Sequence, residues 1–323
     1  MKKNNNYLIG VLEIGIANSF VGVNIILNKF LIEKAPLMLL LELRYIFGVL
    51  ILLFMAIVMK KFKFYLEDNK FNSYDWFIYL LMALSGGVFF NFIYMYGLNK
   101  TTATSVGIIG SSIPTIIVIF SYLFLRQPLK RIHVLSVCLV VLGIMILNLT
   151  RIPGQLANDK IVEHTSQQMI LGNFIVFLAM VPEALFTIFA KMIKIKVCPI
   201  VSGLLINLLN GLFCLPFALY SARDINFLQI DSNIWLLSFF IGLFSGALFY
   251  TFYNRGIAKI DSNTAALMTG VIPISSAILA IIFLNEPFHL TTFLGMLCVL
   301  VSIYVGVRYA DQSKVLLHRV KEK

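Results

Sequence analysis

The chain has 323 residues, of which 59% are apolar and only 13% charged. Soluble domains run at roughly 45–50% apolar and about 25% charged. A soluble monomer, a disordered chain and a disulfide-stapled secreted fold are therefore excluded. The net charge of +11 raises a nucleic-acid partner, which the placement of that charge argues against below.

A helix that crosses the hydrocarbon core needs about 20 mostly apolar residues. Ten such runs follow one another, at 7–31, 36–59, 76–98, 102–125, 132–149, 169–190, 199–220, 234–257, 264–284 and 291–309. The first follows Lys2 and Lys3. It is too long for a signal-peptide core and has no clear small-x-small cleavage site, so it is read as a retained span. It carries Glu13 toward its cytoplasmic end. The second carries Glu42 and Arg44, whose i, i+2 spacing points them to different faces. Arg44 could bind a substrate carboxylate or hold a helix end.

The third span places Asn91 and Tyr94 on one face, among Phe89, Phe90 and Phe92. The fourth has Pro114 near its middle, flanked by Gly107, Gly110, Ser111 and Ser112. A polar stretch, 150–168, separates the fifth span from the sixth. In the sixth, Glu183 follows Pro182 directly. The proline leaves a carbonyl without its helical donor, and a carboxylate at such a kink suits a proton or an amine. The structural alternative pairs Glu183 with a lysine such as Lys191. The eighth span sets Tyr250 and Tyr253 on one face with Asn254 beside them. Tyrosine offers a broad ring and one polar tip, so the two aromatic patches suit a small amphipathic metabolite, or a membrane-interface belt. The ninth has Pro273 near its middle, with Thr269, Gly270, Ser275 and Ser276 around it. Pro114 and Pro273 predict two kinked, closely packed helices, with a gating or a packing role.

Lysine and arginine counts set the orientation. With the N-terminus in the cytoplasm, 19 of the 26 fall in inside segments and 6 outside; Arg44 lies within a span. Both termini are then cytoplasmic, and the positive charge is accounted for without nucleic acid.

The chain is also a duplication. Residues 76–146 align with 235–305 without a gap at a shift of 159, with 16 identities in 71 positions. The only two tryptophans, Trp76 and Trp235, align. So do Gly87 and Gly246, Tyr94 and Tyr253, Lys100 and Lys259, Pro114 and Pro273, and Pro128 and Pro287. Lys29 aligns with Lys191 at a slightly different shift. Five spans per copy is an odd number, so the second copy is inverted, a building plan of secondary transporters. The expected division is a first five-helix repeat at 1–149, an external linker at 150–168, a second repeat at 169–310 and a cytoplasmic tail at 311–323. The fold class is an all-α polytopic membrane protein with ten transmembrane helices in two inverted repeats.

The segment GLNKTTATSVGIIGSSIPTIIVIFSYLFLRQPLKR and its second copy GIAKIDSNTAALMTGVIPISSAILAIIFLNEPFHL resemble the EamA-type repeat of the drug/metabolite transporter superfamily. The shared pattern is a small-residue helix with a mid-span proline, a Leu-x-Glu-Pro corner, and a last helix with a glycine, here Gly143 and Gly295. The family's corner usually reads Gly-Glu; this chain has Arg126-Gln127 in one copy and Asn285-Glu286 in the other. The family's arginine of the second helix corresponds to Arg44, and its repeat position holds Asn207.

The resemblance implies a secondary transporter of a small metabolite working by alternating access, with export of amino acids or related compounds as the leading variant. An importer or exchanger of a nucleotide-like compound, S-adenosylmethionine or a nucleotide sugar, is the alternative. A membrane scaffold or membrane-embedded enzyme is the reading from outside the class. The candidate substrate-binding residues are Arg44, Asn91, Tyr94, Asn207, Tyr250, Tyr253 and Asn254. The candidate coupling residues are Glu183 and Glu13, and the gating residues Pro114 and Pro273. No cofactor is expected, since no Walker A loop, nucleophile elbow or histidine set with metal spacing is present. The four cysteines have no CxxC spacing. The partners expected are a small-molecule substrate and the lipid bilayer, with two alternatives for driving force: proton coupling through Glu183, or a facilitator with no coupling ion. Abundant Lys, Asn, Ile and Phe suggest an AT-rich bacterial genome and an inner membrane.

Overall fold

The structure is a computed structural model that describes residues 2–31, 34–59, 72–98, 100, 109–128, 131–149, 166–195, 197–223, 231–284, 288 and 290–321. The predicted linker up to residue 165, Gly107 and the corner residues Asn285 and Glu286 lie outside these. Eight described helices are long and apolar enough to cross a membrane, and two shorter apolar helices, Ile113–Leu125 and Arg131–Ile146, bring the set to ten. Many large apolar side chains, Leu12, Phe54, Leu142 and Leu300 among them, are exposed on the outside of the bundle, as lipid-facing positions require.

The packing follows the duplication. The first span packs on the eighth, as the sixth packs on the third. The first packs on the ninth, as the sixth packs on the fourth. The second and seventh lie together at the centre, and the fifth crosses the tenth. At that last crossing a Cβ on Gly143 would stand 2.9 Å from the Gly295 carbonyl oxygen. The hydroxyl of Ser302 donates to the Ser136 carbonyl beside it.

Two features depart from a set of plain helices. The third span runs as Ser73–Met82, a π-helical segment Ala83–Phe89, and Phe90–Leu98. The eighth runs as Ser232–Ile241, a π-helical segment Gly242–Leu248, and Phe249–Ile257. The two π segments are offset by 159 residues, which is the repeat shift. A π turn inserts a residue into the ladder and re-aims every side chain after it, and such turns occur often at functional sites. Here they come directly before Asn91 and Tyr250.

The other departure corrects the expected kinks at Pro114 and Pro273. The ninth span is broken: Ser262–Met268 ends, Thr269 and Gly270 form a turn, and Val271–Leu284 begins. In the fourth span a turn at Ser111 and Ser112 precedes Ile113–Leu125. Each proline therefore sits in the first turn of a new helix, where an amide N–H would have no intrahelical partner anyway. The chain stops and restarts rather than bending.

Contacts between the halves gather at the end predicted to be cytoplasmic. The Tyr7 hydroxyl lies 3.3 Å from an Asp261 carboxylate oxygen and 2.6 Å from the Thr264 hydroxyl. Asp75 accepts from the backbone N–H groups of Lys194 and Ile195 at 3.1 and 3.4 Å. Gln127 accepts from the Ser262 N–H at 3.2 Å. These pairs join elements that the ten-span topology places at one membrane face.

The corner at Arg126 carries backbone strain. Arg126 has φ 51°, in the left-handed region, and the next N–H, of Gln127, returns to the Ser121 carbonyl at 3.2 Å. This is a helix C-terminus of the kind that favours glycine, the residue that the resembling family usually has there. A left-handed residue with a side chain costs roughly 1–2 kcal/mol, and glycine gives back about 0.4–1 kcal/mol through the unfolded chain. Arg126→Gly is expected to raise the thermal midpoint in detergent by about 2 °C. A lowered midpoint would mean that the arginine side chain stabilises the corner by more than its backbone strain.

Candidate functional site

Four spans bring polar side chains together in the middle of the bundle. The second contributes Arg44 and Tyr45. The Arg44 Nη2 donates to the Tyr45 hydroxyl at 2.7 Å, and its guanidinium carbon lies 4.6 Å from the centre of that ring. Tyr45 is fully buried, so the arginine is held by a fixed aromatic anchor. The Nε of Arg44 is buried with no hydrogen-bond partner among the described residues.

The sixth span contributes Glu183, Phe186 and Thr187, one helical face at i, i+3 and i+4. Glu183 lies within the electrostatic reach of Arg44. Lys191, the partner considered from sequence, is engaged elsewhere: its ammonium donates to the carbonyls of Ile257 and Ile260, at the end of the eighth span. The eighth span contributes Tyr250 and Tyr253. Tyr250 faces the charges of Arg44 and Glu183 and the side chain of Asn210 from the seventh span. The Tyr253 hydroxyl donates to the Thr187 hydroxyl at 3.0 Å, or accepts from it. Phe186 packs its ring 6.2 Å from Tyr250 and 5.5 Å from Tyr253, centre to centre. The tyrosines are buried, while Arg44 and Glu183 keep part of their surface accessible. A basic group, an acidic group and phenol hydroxyls thus converge from both halves of the chain.

The remaining predicted residues have other contacts described for them. Asn91 donates its amide to the Gly87 carbonyl in its own π segment. Tyr94 lies 5.3 Å from the Phe90 ring and packs against the core of the fourth, fifth and sixth spans. In the second-half patch it is Tyr250 that faces Arg44 and Glu183. Asn207 is fully buried and gives its amide to the carbonyls of Gly203 and Gly246, at 2.8 and 3.0 Å, so it staples the seventh span to the eighth. Asn254 has a buried Nδ2 with no hydrogen-bond partner among the described residues. Glu13 forms a different centre: its carboxylate pairs with Lys259 and, at 2.9 Å, with Arg255, at the far end of the eighth span.

Tyr45, Phe186, Thr187 and Asn210 were not singled out from sequence. Three of them carried a usable signal. Phe186 and Thr187 share the helical face of Glu183, and Asn210 lies at i+3 from Asn207 on a strongly apolar helix.

Comparison with known proteins now bears on this arrangement. The model of the EamA-like transporter family matches residues 8–149 and 170–308, one match per half. The chain belongs to the EamA-like transporter family. Over 295 residues it is 28% identical to the uncharacterized transporter YetK of Bacillus subtilis, covering 91% of this chain and 86% of that one. It is 24% identical over 302 residues to the uncharacterized transporter YvbV of the same organism, covering 94% and 92%. It is 22% identical to the WAT1-related protein At1g11460 of Arabidopsis thaliana, over 70% of this chain and 73% of the plant protein. A chain of known crystal structure superposes with a TM-score of 0.73 over 95% of this chain and 99% of its own length, at 14% identity, which shows the shared fold. In this EamA-like chain Arg44 comes from the first matched segment and Glu183 and Tyr250 from the second.

Proposed function

We propose that this EamA-like protein is a proton-coupled secondary transporter that exports amino acids or closely related metabolites across a bacterial inner membrane by alternating access. One observation carries the reading. Arg44 from the first half and Glu183 and Tyr250 from the second converge at the centre of a bundle built from inverted halves. Inverted-repeat transporters hold their substrates at such a midplane junction. A guanidinium recognises a carboxylate, a nearby carboxylate recognises an ammonium or a proton, and tyrosine rings cover the apolar part of the ligand. An intramembrane ionisable residue is retained at a cost unless it serves a pathway.

The broken ninth helix and the π segments supply places where one half can move against the other. The Glu13–Lys259–Arg255 group and the Tyr7–Asp261 contact close the predicted cytoplasmic end, and Glu13 has a gating part in this scheme rather than a coupling one.

The test is uptake into proteoliposomes of labelled amino acids, nucleosides and S-adenosylmethionine, with and without a pH gradient. Wild type is expected to accumulate an amino acid in response to the gradient. Glu183→Gln is expected to lose that response and fall to the level seen without a gradient. Equal gradient-driven accumulation by both proteins removes the coupling role of Glu183. Movement of S-adenosylmethionine or a nucleoside alone replaces the substrate class.

A further inference from the structure

The first and sixth spans each carry a lysine in their last turn. Lys29 lies two residues before the end of Lys2–Leu31, and Lys191 one residue before the end of Ser166–Met192. The two are 162 residues apart, and the packing fixes that register. Gly10 and Gly172 are also 162 apart. A Cβ on Gly10 would stand 2.7 Å from the Lys259 Cβ, and one on Gly172 2.9 Å from the Lys100 Cβ. Lys100 and Lys259 are themselves repeat partners, and the spans they follow end alike. The Lys100 N–H returns to the Gly97 carbonyl and the Lys259 N–H to the Gly256 carbonyl, both at 2.9 Å. The start of the first span therefore meets the end of the eighth as the start of the sixth meets the end of the third.

The Lys191 ammonium donates to the carbonyls of Ile257 and Ile260, at the predicted cytoplasmic end of the eighth span. A helix end exposes carbonyls and partial negative charge, which a cation satisfies. Together with the Tyr253–Thr187 contact, this bond closes the sixth span against the eighth at that end. Lys29 is the inverted copy of Lys191, at the opposite membrane face. The equivalent of Ile257 is Leu98, the last residue of the third span. The positive-inside rule works against a lysine at the outer face. The outer corner 285–290 obeys it, with no lysine or arginine where its repeat partner 126–131 has three. Lys29 stands at that face nevertheless.

We propose that Lys191 and Lys29 are alternate latches. In the state seen here Lys191 holds the inner ends of the sixth and eighth spans together. In the opposite state Lys29 holds the outer ends of the first and third together, through the carbonyl end at Leu98. The assignment rests on the alternating-access reading above and adds the bonds that hold each state closed. A contact made in only one of two states shifts the equilibrium toward that state, so removing the two lysines must act with opposite signs.

The experiment places a single cysteine at Thr187, which is buried one turn beyond Glu183, with the four native cysteines replaced by serine. A membrane-impermeant methanethiosulfonate labels it from the cytoplasmic face in inside-out vesicles and from the outer face in right-side-out vesicles. Lys191→Gln is expected to raise the ratio of cytoplasmic to outer labelling by about fivefold, and Lys29→Gln to lower it by about as much. A ratio unchanged by either variant, or moved the same way by both, overturns the proposal and leaves static helix caps. Should one variant fail to fold, the sign of the other decides alone. Uptake of labelled amino acids by the unaltered protein keeps the two readings apart. Opposite shifts with no solute moved support the latches and overturn the transport function, whereas uptake with no shift overturns the latches alone.

Discussion

Arg44→Ala is expected to lower uptake of a carboxylate-bearing substrate by about a hundredfold at substrate concentrations below saturation. Truncating one member of a desolvated charged contact costs about 2–5 kcal/mol, and each 1.4 kcal/mol or so is tenfold. Arg44 meets the conditions for such a cost. It sits in the centre of the bundle, it is anchored on the Tyr45 hydroxyl at 2.7 Å, and its Nε has no hydrogen-bond partner among the described residues. Arg44→Lys is expected to lose most of the same activity, because an ammonium can neither fork onto a carboxylate nor lie over the Tyr45 ring. Tyr45→Phe removes only the hydrogen bond that orients the arginine, and a smaller loss of about tenfold follows. Initial-rate uptake, read beside the thermal midpoint of each variant, separates the roles. If Arg44→Ala transports normally, the arginine is structural and the proposed carboxylate site is wrong. If the midpoint collapses while Arg44→Lys restores both stability and transport, only its charge matters.

Gly246→Ala is expected to damage the same site without touching a charge. A Cβ on Gly246 would stand 2.8 Å from the Gly48 Cα and 3.0 Å from the Arg44 carbonyl oxygen. Both are backbone atoms of the second span, so no side-chain rotation relieves the clash. The helices must separate, and Arg44 moves with its own carbonyl. Forcing a methyl into a packed contact costs typically about 1–3 kcal/mol, so a midpoint lowered by about 5 °C and at least a tenfold drop in transport are expected. Gly211→Ala is the control. Its nearest neighbours, Glu42 and Tyr45, lie 3.5 Å from the added Cβ, which is ordinary contact, and alanine is the better helix former by about 1 kcal/mol. It should match or exceed the wild-type midpoint. Equal behaviour of the two variants would mean that the second and eighth spans do not approach as closely as the structure places them.

The span count, the class and the duplication were legible because each rests on periodic or compositional signals. A bilayer-length apolar run is visible without a partner, and aligned tryptophans, glycines and prolines mark a repeat whichever way the chain folds. The residues of the central site were partly legible. Arg44, Glu183, Tyr250 and Tyr253 stand out because ionisable and hydroxyl groups are costly in a membrane, whatever they touch.

For the symmetric patch of Asn91 and Tyr94, the sequence did not say what each copy would meet. A repeat in sequence does not oblige both copies to face the same cavity, because one conformation of an inverted pair sets the halves unequally. Asn91 meets its hydrogen-bonding need locally, at the Gly87 carbonyl, while Tyr250, its repeat equivalent, faces Arg44 and Glu183. Asn207, a candidate substrate contact from sequence, also gives its amide to the Gly246 carbonyl on a different helix. The prolines announced an interruption but not its form: proline forbids one hydrogen bond, and whether the helix bends or restarts depends on the turn that neighbouring packing allows. The π segments had no sequence signal beyond a run of small residues. By itself, then, the sequence determined a ten-span helical membrane protein of two inverted EamA repeats, since length, hydropathy and self-similarity are properties of the chain alone. Only the tertiary structure decided which charges meet and which amides are already engaged, because those outcomes depend on distances between helices far apart in the chain.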